Sequence, residues 1–201
     1  MQHVGVSPND IPNSIEEWLK QKEDLKRMLK NEKVVAVGEI GLDYYWNDEN
    51  KDLQKQIFID QIEIANEYNL PIVIHTREAI MDTIDILKNK TDVKKKGVFH
   101  CCPQNRELIK EALKLGFYIS FAGPITFKSS KNAEEIVNMV PIDRLLIETD
   151  SPYLSPEPNR GKRNDSSNVK YIAKKIAEFR NVTINDIAKA SYENANRLFN
   201  I

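Results

Sequence analysis

The sequence has few of the residues that mark a disulfide-bonded, zinc-finger or secreted protein. Its 201 residues include only two cysteines, the adjacent pair Cys101 and Cys102. Adjacent cysteines form neither a disulfide framework nor the spaced ligand pairs of a structural zinc site. The first residues, MQHVGVSPND, contain neither the basic nor the apolar stretch of a signal peptide. We therefore expect reduced thiols and a cytoplasmic protein.

Long apolar segments and an excess of one charge are also absent. No run approaches the roughly 18 apolar residues that a membrane helix needs, so no membrane association is expected. Lysine and arginine number 29 against 30 aspartates and glutamates, a formal net charge of -1. This balance argues against a basic scaffold that attracts nucleic acid as a whole, but it permits a local site that holds its own cations.

Linkers rich in proline and glycine, repeats and low-complexity blocks are absent too, so one domain is predicted over residues 1–201. Five short apolar runs, rich in valine and isoleucine, have the composition of strands buried on both faces. They are VVAVGE, LPIVIH, KGVFH, GFYISF and RLLIETD. Stretches of helical periodicity separate them, and this alternation is typical of parallel α/β architecture. The stretch SPYLSPEPNRGKRN is predicted to be one long, ordered loop.

The helical stretches have recognisable limits. The first, over residues 14–31, opens with a capping box formed by Ser14 and Glu17. Further helices are predicted over 53–68 and near 79–89, 104–115, 131–139, 167–180 and 184–199.

Four of the apolar runs end in a residue that can bind a metal ion. These residues are Glu39, His75, His100 and Asp150. In a parallel barrel the carboxyl ends of the strands meet on the face that carries the active site. Two carboxylates and two imidazoles form a ligand set suited to zinc, manganese or a similar divalent ion. One such residue alone is more often a hydrogen-bonded or capping group, so the coincidence of four predicts the metal site.

These residues lie in segments that resemble a known family. The segments VGEIGLDYYW, PIVIHTREA, FHC, LLIETDSPYL and RGKRN, in this order, resemble the TatD family of metal-dependent deoxyribonucleases, and the likeness extends to ENANRLF. The resemblance implies a (β/α)8 TIM-type barrel with two metal ions that hydrolyses DNA, typically as a 3'-to-5' exonuclease. It implies that Glu39 bridges the metal ions, that His75 and His100 bind one of them, and that Asp150 binds the other and the attacking water.

The chemistry of phosphodiester hydrolysis is consistent with these roles. Two divalent ions about 3.5–4 Å apart neutralise the phosphate and stabilise the leaving oxygen. Glu39 has two oxygens for a bridge, and Asp150 can accept the proton of the attacking water. Glu148 lies two residues before Asp150, on the same face of an extended strand. It is predicted to orient a metal ligand, with a structural pair to a lysine as the alternative.

Strand periodicity also singles out Arg77. It lies two residues after His75 and, in an extended strand, on the same face. Its planar guanidinium suits a phosphate of the DNA substrate. An ion pair with a carboxylate such as Asp43 or Glu78 is an equal alternative.

Three other features each have two interpretations. Tyr44, Tyr45 and Trp46 can stack on bases of a single strand, or pack beneath a loop. The basic run 160–163 can contact the DNA backbone, or it is a solvated loop. One of the two cysteines next to His100 can be a soft ligand, or a small buried residue.

The sequence also departs from the family pattern. The family opens with a strand that ends in His-x-His and supplies two metal ligands, and no His-x-His occurs here. The segment HVGVSPND resembles the third strand of the family, with Ser7 and Asn9 where histidines are usual. Asp165 and Ser166 replace a usual Glu-Pro pair after RGKRN. We therefore expect an N-terminally truncated barrel with about six of the eight strands.

Two other functions remain open. A related metal hydrolase with the same ligands can act on an ester, an amide or an amino-purine. The chain can also be a non-catalytic remnant that keeps the fold, which the missing His-x-His favours and the four retained ligand candidates oppose.

The truncation generates the first prediction. An open barrel leaves unpaired strand edges that favour self-association, and without His-x-His the two-metal site is incomplete. The 201 residues alone should therefore show weak or no nuclease activity, and a version with an N-terminal His-x-His segment should be active and monomeric. Assays on single-stranded DNA with manganese or magnesium, together with light scattering, test this. Full activity from a monodisperse short chain would contradict it.

Overall fold

The strands and helices follow one another in the predicted alternation. The computed structural model of the protein describes residues 2–46 and 48–201. Its strands are β1 (Gln2–Val4), β2 (Val34–Asp43), β3 (Ile72–Arg77), β4 (Val98–Phe99), β5 (Tyr118–Phe121) and β6 (Leu145–Ile147). Its α-helices are α1 (Ile15–Met28), α2 (Lys51–Glu67), α3 (Ile80–Asp85), α4 (Arg106–Lys114), α5 (Ala133–Met139), α6 (Val169–Arg180) and α7 (Ile184–Phe199). A π-helical segment, Ile86–Lys90, continues α3.

The chain divides into two compact units. The first comprises the chain up to Phe99 together with Leu198–Ile201, and the second is His100–Arg197. In the first unit β1, β2, β3 and β4 pair in this order, and every pair is parallel. In the second unit β5 pairs with β6, also in parallel. The parallel α/β class predicted from the sequence is confirmed, whereas the single domain over the whole chain stays a prediction.

Each unit has its own apolar core. In the first, completely buried side chains come from α1, β2, α2 and β3: Trp18, Ile40, Leu42, Phe58, Ile62, Ile72 and Ile74. In the second they come from the strands β5 and β6 and from the helices: Leu108, Ile109, Ile119, Ile136, Leu145, Ile172 and Ile176. Burial of one such side chain stabilises the folded state by about 1.5–3 kcal/mol, so the strands carrying the candidate site are held by packing on both faces.

Local sequence signals set the start of α1. Ser14 has an extended backbone, and its hydroxyl accepts a hydrogen bond from the Glu17 N–H at 3.2 Å. The Glu17 carboxylate reaches back and accepts from the Asn13 N–H at 3.0 Å. The predicted Ser14 cap is therefore confirmed, with the return bond made one residue earlier than in the usual capping box.

Strand β2 is longer than the sequence pattern indicates. The sequence pattern predicts that the run ends at Glu39, which is wrong, because β2 continues to Asp43. Its pairing with β3 shifts register between Val37 and Ile40, and Gly41 then lies opposite His75. A Cβ atom on Gly41 would lie 1.9 Å from the carbonyl oxygen of His75. Only glycine allows the two strands to approach so closely at this point. Gly41 therefore lets β2 continue its pairing with β3 beyond Glu39.

Two glutamines of α2 fix the chain at the ends of β1 and β2. Gln54 accepts from the Asp43 N–H at 2.9 Å and donates to its carbonyl at 3.0 Å. Gln61 makes the same pair of bonds to Val6, at 2.7 and 3.0 Å. Both glutamines are buried, so each satisfies backbone groups that no strand pairs. The two residues are seven positions apart, which places them on one face of the helix.

Polar side chains hold the second unit in a similar way. On α7, the Asn194 amide donates to the carbonyls of Ile142 and Leu145, both at 2.8 Å. The Ser191 hydroxyl accepts from the Ile147 N–H at 3.2 Å. These bonds fix both ends of β6, the strand that leads to Asp150.

The described helices also answer the membrane prediction. None of the helices within residues 2–46 and 48–201 is both long and apolar enough to cross a bilayer. The cytoplasmic location is a separate question and stays a prediction.

Gly41 and Gly161 provide a matched test of this architecture. Both have a positive φ, +141° and +83°, but a Cβ on Gly161 would meet no atom within 4 Å. Gly161→Ala should therefore cost about 1 kcal/mol of backbone strain. Gly41→Ala adds a steric clash and should cost about 3 kcal/mol or more. Thermal unfolding should show Tm falling by about 2–4 °C and by about 6 °C or more, respectively. Equal shifts would mean that the β2–β3 contact is less tight than described.

Candidate active site

In the first unit, His75 lies between two carboxylates. It is on β3, two residues before the end of the strand. Its Nε2 is 2.9 Å from Asp43 Oδ2, and its Nδ1 is 3.8 Å from Glu39 Oε2. An ionised carboxylate only accepts hydrogen bonds, so Nε2 carries the proton toward Asp43. The tautomer thus directs the lone pair of Nδ1 toward the side on which Glu39 lies.

Asp43 joins several parts of the first unit. Its side chain is only 1% exposed. Oδ1 accepts from the N–H groups of Tyr45 and Trp46 at 3.0 and 3.2 Å. Oδ2 accepts from His75 and, at 3.4 Å, from the Asn9 amide. One carboxylate therefore positions the predicted metal ligand and the loop after β2 together.

Glu39 faces a cavity of about 560 Å³ within the first unit. The cavity is lined by His3–Ser7, Asp10, Gln21, Gly38 and Glu39. The His3 Nδ1 is 2.7 Å from the Gly38 carbonyl oxygen, which fixes the ring against β2. The predicted bridging carboxylate is therefore open to a space large enough for a substrate group.

Arg77, the last residue of β3, lies against aromatic rings. Its guanidinium carbon is 3.7 Å from the centre of the Tyr45 ring and 5.5 Å from that of Trp46. From the sequence, an ion pair of Arg77 with Asp43 or Glu78 is the alternative to phosphate binding. The contact that the structure shows is a cation–π stack of the guanidinium on Tyr45. Tyr45 and Trp46 are 50% and 68% exposed, so the packing alternative for these aromatics is wrong for both. It fits Tyr44, whose hydroxyl donates to Asp82 at 2.7 Å.

In the second unit, His100 also lies between two carboxylates. It directly follows β4. Its Nδ1 is 2.7 Å from Glu148 Oε2, and its Nε2 is 3.6 Å from Asp150 Oδ1. The other oxygen of Glu148 accepts a hydrogen bond from the Cys101 N–H. Glu148 is predicted to orient a metal ligand, and its hydrogen bond to the His100 ring is the contact that this role requires.

These contacts affect two ionisable groups. Burial by itself raises the pKa of Glu148. The hydrogen bond and charge of His100, together with hydrogen bonds from the Cys101 N–H and the Ser120 hydroxyl, outweigh burial, so the pKa of Glu148 lies below its ordinary value. Burial, with the nearby charge of Glu148, raises the pKa of the Cys102 thiol. Neither cysteine is in a disulfide. Cys102 is buried, which favours its interpretation as a small buried residue.

The loop after β6 presents Asp150. Asp150 has φ +58°, a left-handed conformation that aspartate tolerates better than most residues. The buried Asn164 amide donates to the carbonyls of Thr149 and Tyr153 at 2.7 and 2.6 Å. The stretch predicted to be a long, ordered loop is therefore tied back at Asn164, the last residue of the RGKRN segment.

The basic residues of that segment lie outside this anchor. Arg160, Lys162 and Arg163 are exposed. Arg160 places its guanidinium carbon 4.0 Å from the centre of the Phe127 ring. Both interpretations of the run, contact with DNA and a solvated loop, remain compatible with this arrangement.

The two candidate histidines have the surroundings that metal-binding histidines usually have. Metal-binding histidines usually hold one ring nitrogen against a carboxylate, which leaves the lone pair of the other for the ion. His75 follows this pattern with Asp43, and His100 follows it with Glu148. In both cases the second nitrogen faces another predicted ligand, Glu39 or Asp150.

Comparison with known proteins decides the family. The sequence model of the family described as TatD related DNase matches residues 1–200. The chain belongs to the TatD family. It is 48% identical over 198 residues to the uncharacterized metal-dependent hydrolase YabD of Bacillus subtilis, covering 98% of this chain and 76% of the relative. It is 44% identical over 179 residues to the uncharacterized metal-dependent hydrolase YcfH of Escherichia coli, covering 89% and 68%.

A solved structure supports the same assignment. The crystal structure of YJJV, a TatD homolog from Escherichia coli K12, matches with a TM-score of 0.89 at 27% identity, over 99% of this chain and 76% of that one. The barrel-type fold predicted from the sequence is thereby confirmed. As a member of the TatD family, the chain is a metal-dependent hydrolase.

Sequence reasoning missed two residues of the TatD site. Asp43 was considered only as a possible partner of Arg77, and Asn164 was given no role. A usable signal for Asp43 in the sequence is its place at the end of an apolar run, two residues after a glycine and directly before three aromatic residues. For Asn164 the sequence offers no comparable signal, because its partners are backbone carbonyls.

Asp43 provides the test of this geometry. Asp43→Asn should weaken binding of zinc or manganese about 10- to 100-fold, because an amide cannot fix the His75 tautomer as a carboxylate does. Elemental analysis and metal titration of the purified TatD chain measure this, with the His75→Ala, His100→Ala double variant as the metal-free reference. Asp48→Asn changes the same charge at an exposed position and should have no effect. Unchanged affinity in Asp43→Asn would mean that Asp43 only supports the loop.

Proposed function

We propose that this TatD protein hydrolyses phosphodiester bonds of DNA, using divalent metal ions held by Glu39, His75, His100 and Asp150. The arrangement of His75 carries the proposal. One of its nitrogens is held by a buried carboxylate and the other faces Glu39, as in metal-binding histidines. The description of the matching family as TatD related DNase and the exposed guanidinium two residues after His75 support a phosphodiester as the substrate.

Divalent ions bound by these ligands would neutralise the phosphate and make an attacking water more acidic. The side chains have distinct tasks around that chemistry. Glu39 offers two carboxylate oxygens, which suits a ligand shared by two ions. His75 and His100 would bind such ions as neutral imidazoles.

Asp150 accepts the proton of the attacking water. Its carboxylate is partly buried and 3.6 Å from the ring of His100, on a loop that Asn164 holds in place. A general base must be held within hydrogen-bonding reach of the proton that it removes. Asp150 lies three residues after the end of β6 in a left-handed conformation, and such uncommon conformations are concentrated at functional sites.

Arg77 binds the phosphate of the substrate. Stacking on Tyr45 covers one face of the guanidinium but leaves its N–H groups, which lie in the plane of the group, available at the edge. A planar fork of this kind can donate two parallel hydrogen bonds to phosphate oxygens. DNA is therefore proposed as the partner, recognised locally by a chain with no overall positive charge.

Loss of the proposed base separates chemistry from binding. Asp150→Asn should lower kcat on DNA by about 1,000-fold or more, at least about 4 kcal/mol, because an amide cannot accept the proton. The thermal midpoint should change little. Rates are measured with manganese on single-stranded DNA in the version with a His-x-His segment, because this chain alone is expected to have weak or no activity. Asp143→Asn, at an exposed position, is the control.

Two outcomes would contradict the proposal. A near-normal kcat for Asp150→Asn would assign Asp150 a structural role. Hydrolysis of a peptide or carboxylic ester without cleavage of DNA would place the protein among the hydrolases that act on carbonyl groups.

A further inference from the structure

Two aromatic residues after β2 are exposed although hydrogen bonds fix residues 44–46. Tyr45 and Trp46 are 50% and 68% exposed, whereas Trp18 is completely buried. Their rings meet edge to face, with centres 4.8 Å apart and planes at 86°. Exposed aromatic rings held in a fixed arrangement lose little conformational entropy when a flat ligand stacks on them.

Three sets of contacts hold this loop. Both residues donate their backbone N–H to Asp43, as described above. The Tyr44 N–H donates to the Arg77 carbonyl at 3.0 Å, which continues the β2–β3 pairing. The Tyr44 hydroxyl bonds to Asp82, which also pairs with Lys55 at 2.8 Å. The loop is thus anchored through Tyr44 and Asp43, and the next two side chains are left at the surface.

Arg77 adds a phosphate-binding group beside the rings. Its guanidinium lies over Tyr45 at 3.7 Å, which restricts the orientation of an otherwise flexible side chain. Asp43 and Arg77 are direct partners in the β2–β3 register, so the rings, the guanidinium and the His75–Asp43 pair belong to adjoining positions on two paired strands.

We propose that Tyr45 and Trp46 stack on an unpaired nucleobase of the substrate, next to the phosphate that Arg77 binds. The inference rests on the proposed function and specifies its substrate as nucleic acid with unpaired bases. Aromatic rings bind any base through its flat face and so do not read sequence, whereas a base within a duplex has both faces covered by its neighbours. Packing of the aromatics beneath the loop accounts for Tyr44, but it leaves the exposure of Trp46 unexplained.

Tryptophan fluorescence reports on this contact directly. The chain has two tryptophans, and Trp18 is buried with its indole N–H bonded to Asp60 at 2.7 Å. A stacked base should therefore quench Trp46 alone. The probe is a short single-stranded oligodeoxythymidine with phosphorothioate linkages, which resist hydrolysis during titration. Quenching should saturate in the unmodified protein and be absent in Trp46→Phe.

Affinity measurements with a labelled copy of the same probe test the energetics. Trp46→Ala should bind about 5- to 150-fold more weakly, the range expected when stacking on one base is lost. Tyr45→Leu should also weaken binding. Tyr45→Phe, which keeps the ring, should bind the probe with the affinity of the unmodified protein. An abasic oligomer with the same phosphates should bind the unmodified protein at least as weakly as the oligodeoxythymidine binds Trp46→Ala, because it can stack on neither ring. Tyr192→Ala, at a 67% exposed tyrosine of α7, is the control.

The results separate this inference from the proposed function. Equal affinity for the abasic and normal oligomers, or absence of quenching, would overturn the stacking surface even if the protein cleaves DNA. Quenching and base-dependent affinity in a protein that cleaves no DNA would support base stacking by Tyr45 and Trp46 but contradict the proposed nuclease function. Equal affinity for a blunt duplex and for the single strand would overturn the preference for unpaired bases.

Discussion

The first unit depends on one buried carboxylate, that of Asp43. A carboxylate with almost no contact with water is costly unless donors surround it. Here the donors are the ring of His75, two backbone N–H groups of the loop after β2, and the Asn9 amide. The need to satisfy this one group brings together residues from three segments. It sets the tautomer of a metal-ligand candidate and the course of an exposed aromatic loop at the same time.

The second unit uses the same arrangement with different residues. Glu148 accepts from the His100 ring and from the Cys101 backbone, so the position of the ring is fixed by the residue that directly follows β6. Hydrogen bonds of this kind determine which nitrogen of a histidine presents its lone pair. The loop that bears Asp150 is fixed by amide bonds from Asn164 to two carbonyls, so a long, proline-rich segment can still present a carboxylate at a defined position.

Family membership and local structure answer different questions about this protein. Membership establishes a metal-dependent hydrolase, but hydrolases on this scaffold act on different bonds. The choice of substrate is made by residues around the metal ligands. In the proposed function, the exposed Tyr45 and Trp46 and the stacked guanidinium of Arg77 are the groups that would distinguish a nucleic acid from a peptide, because aromatic rings can stack on flat bases and a guanidinium can bind phosphate.

The sequence alone determined most of the strands and helices of this protein. Buried parallel strands need runs of apolar residues and helices need an apolar face, and both patterns are local. The four ligand candidates were also visible, since each follows or lies within such a run. The length of β2, the bond between Asn9 and Asp43, the anchoring role of Asn164 and the exposure of Trp46 were decided only by the tertiary structure. Each depends on a glycine contact, a side-chain hydrogen bond or the packing of a loop, interactions that no nearby sequence pattern specifies.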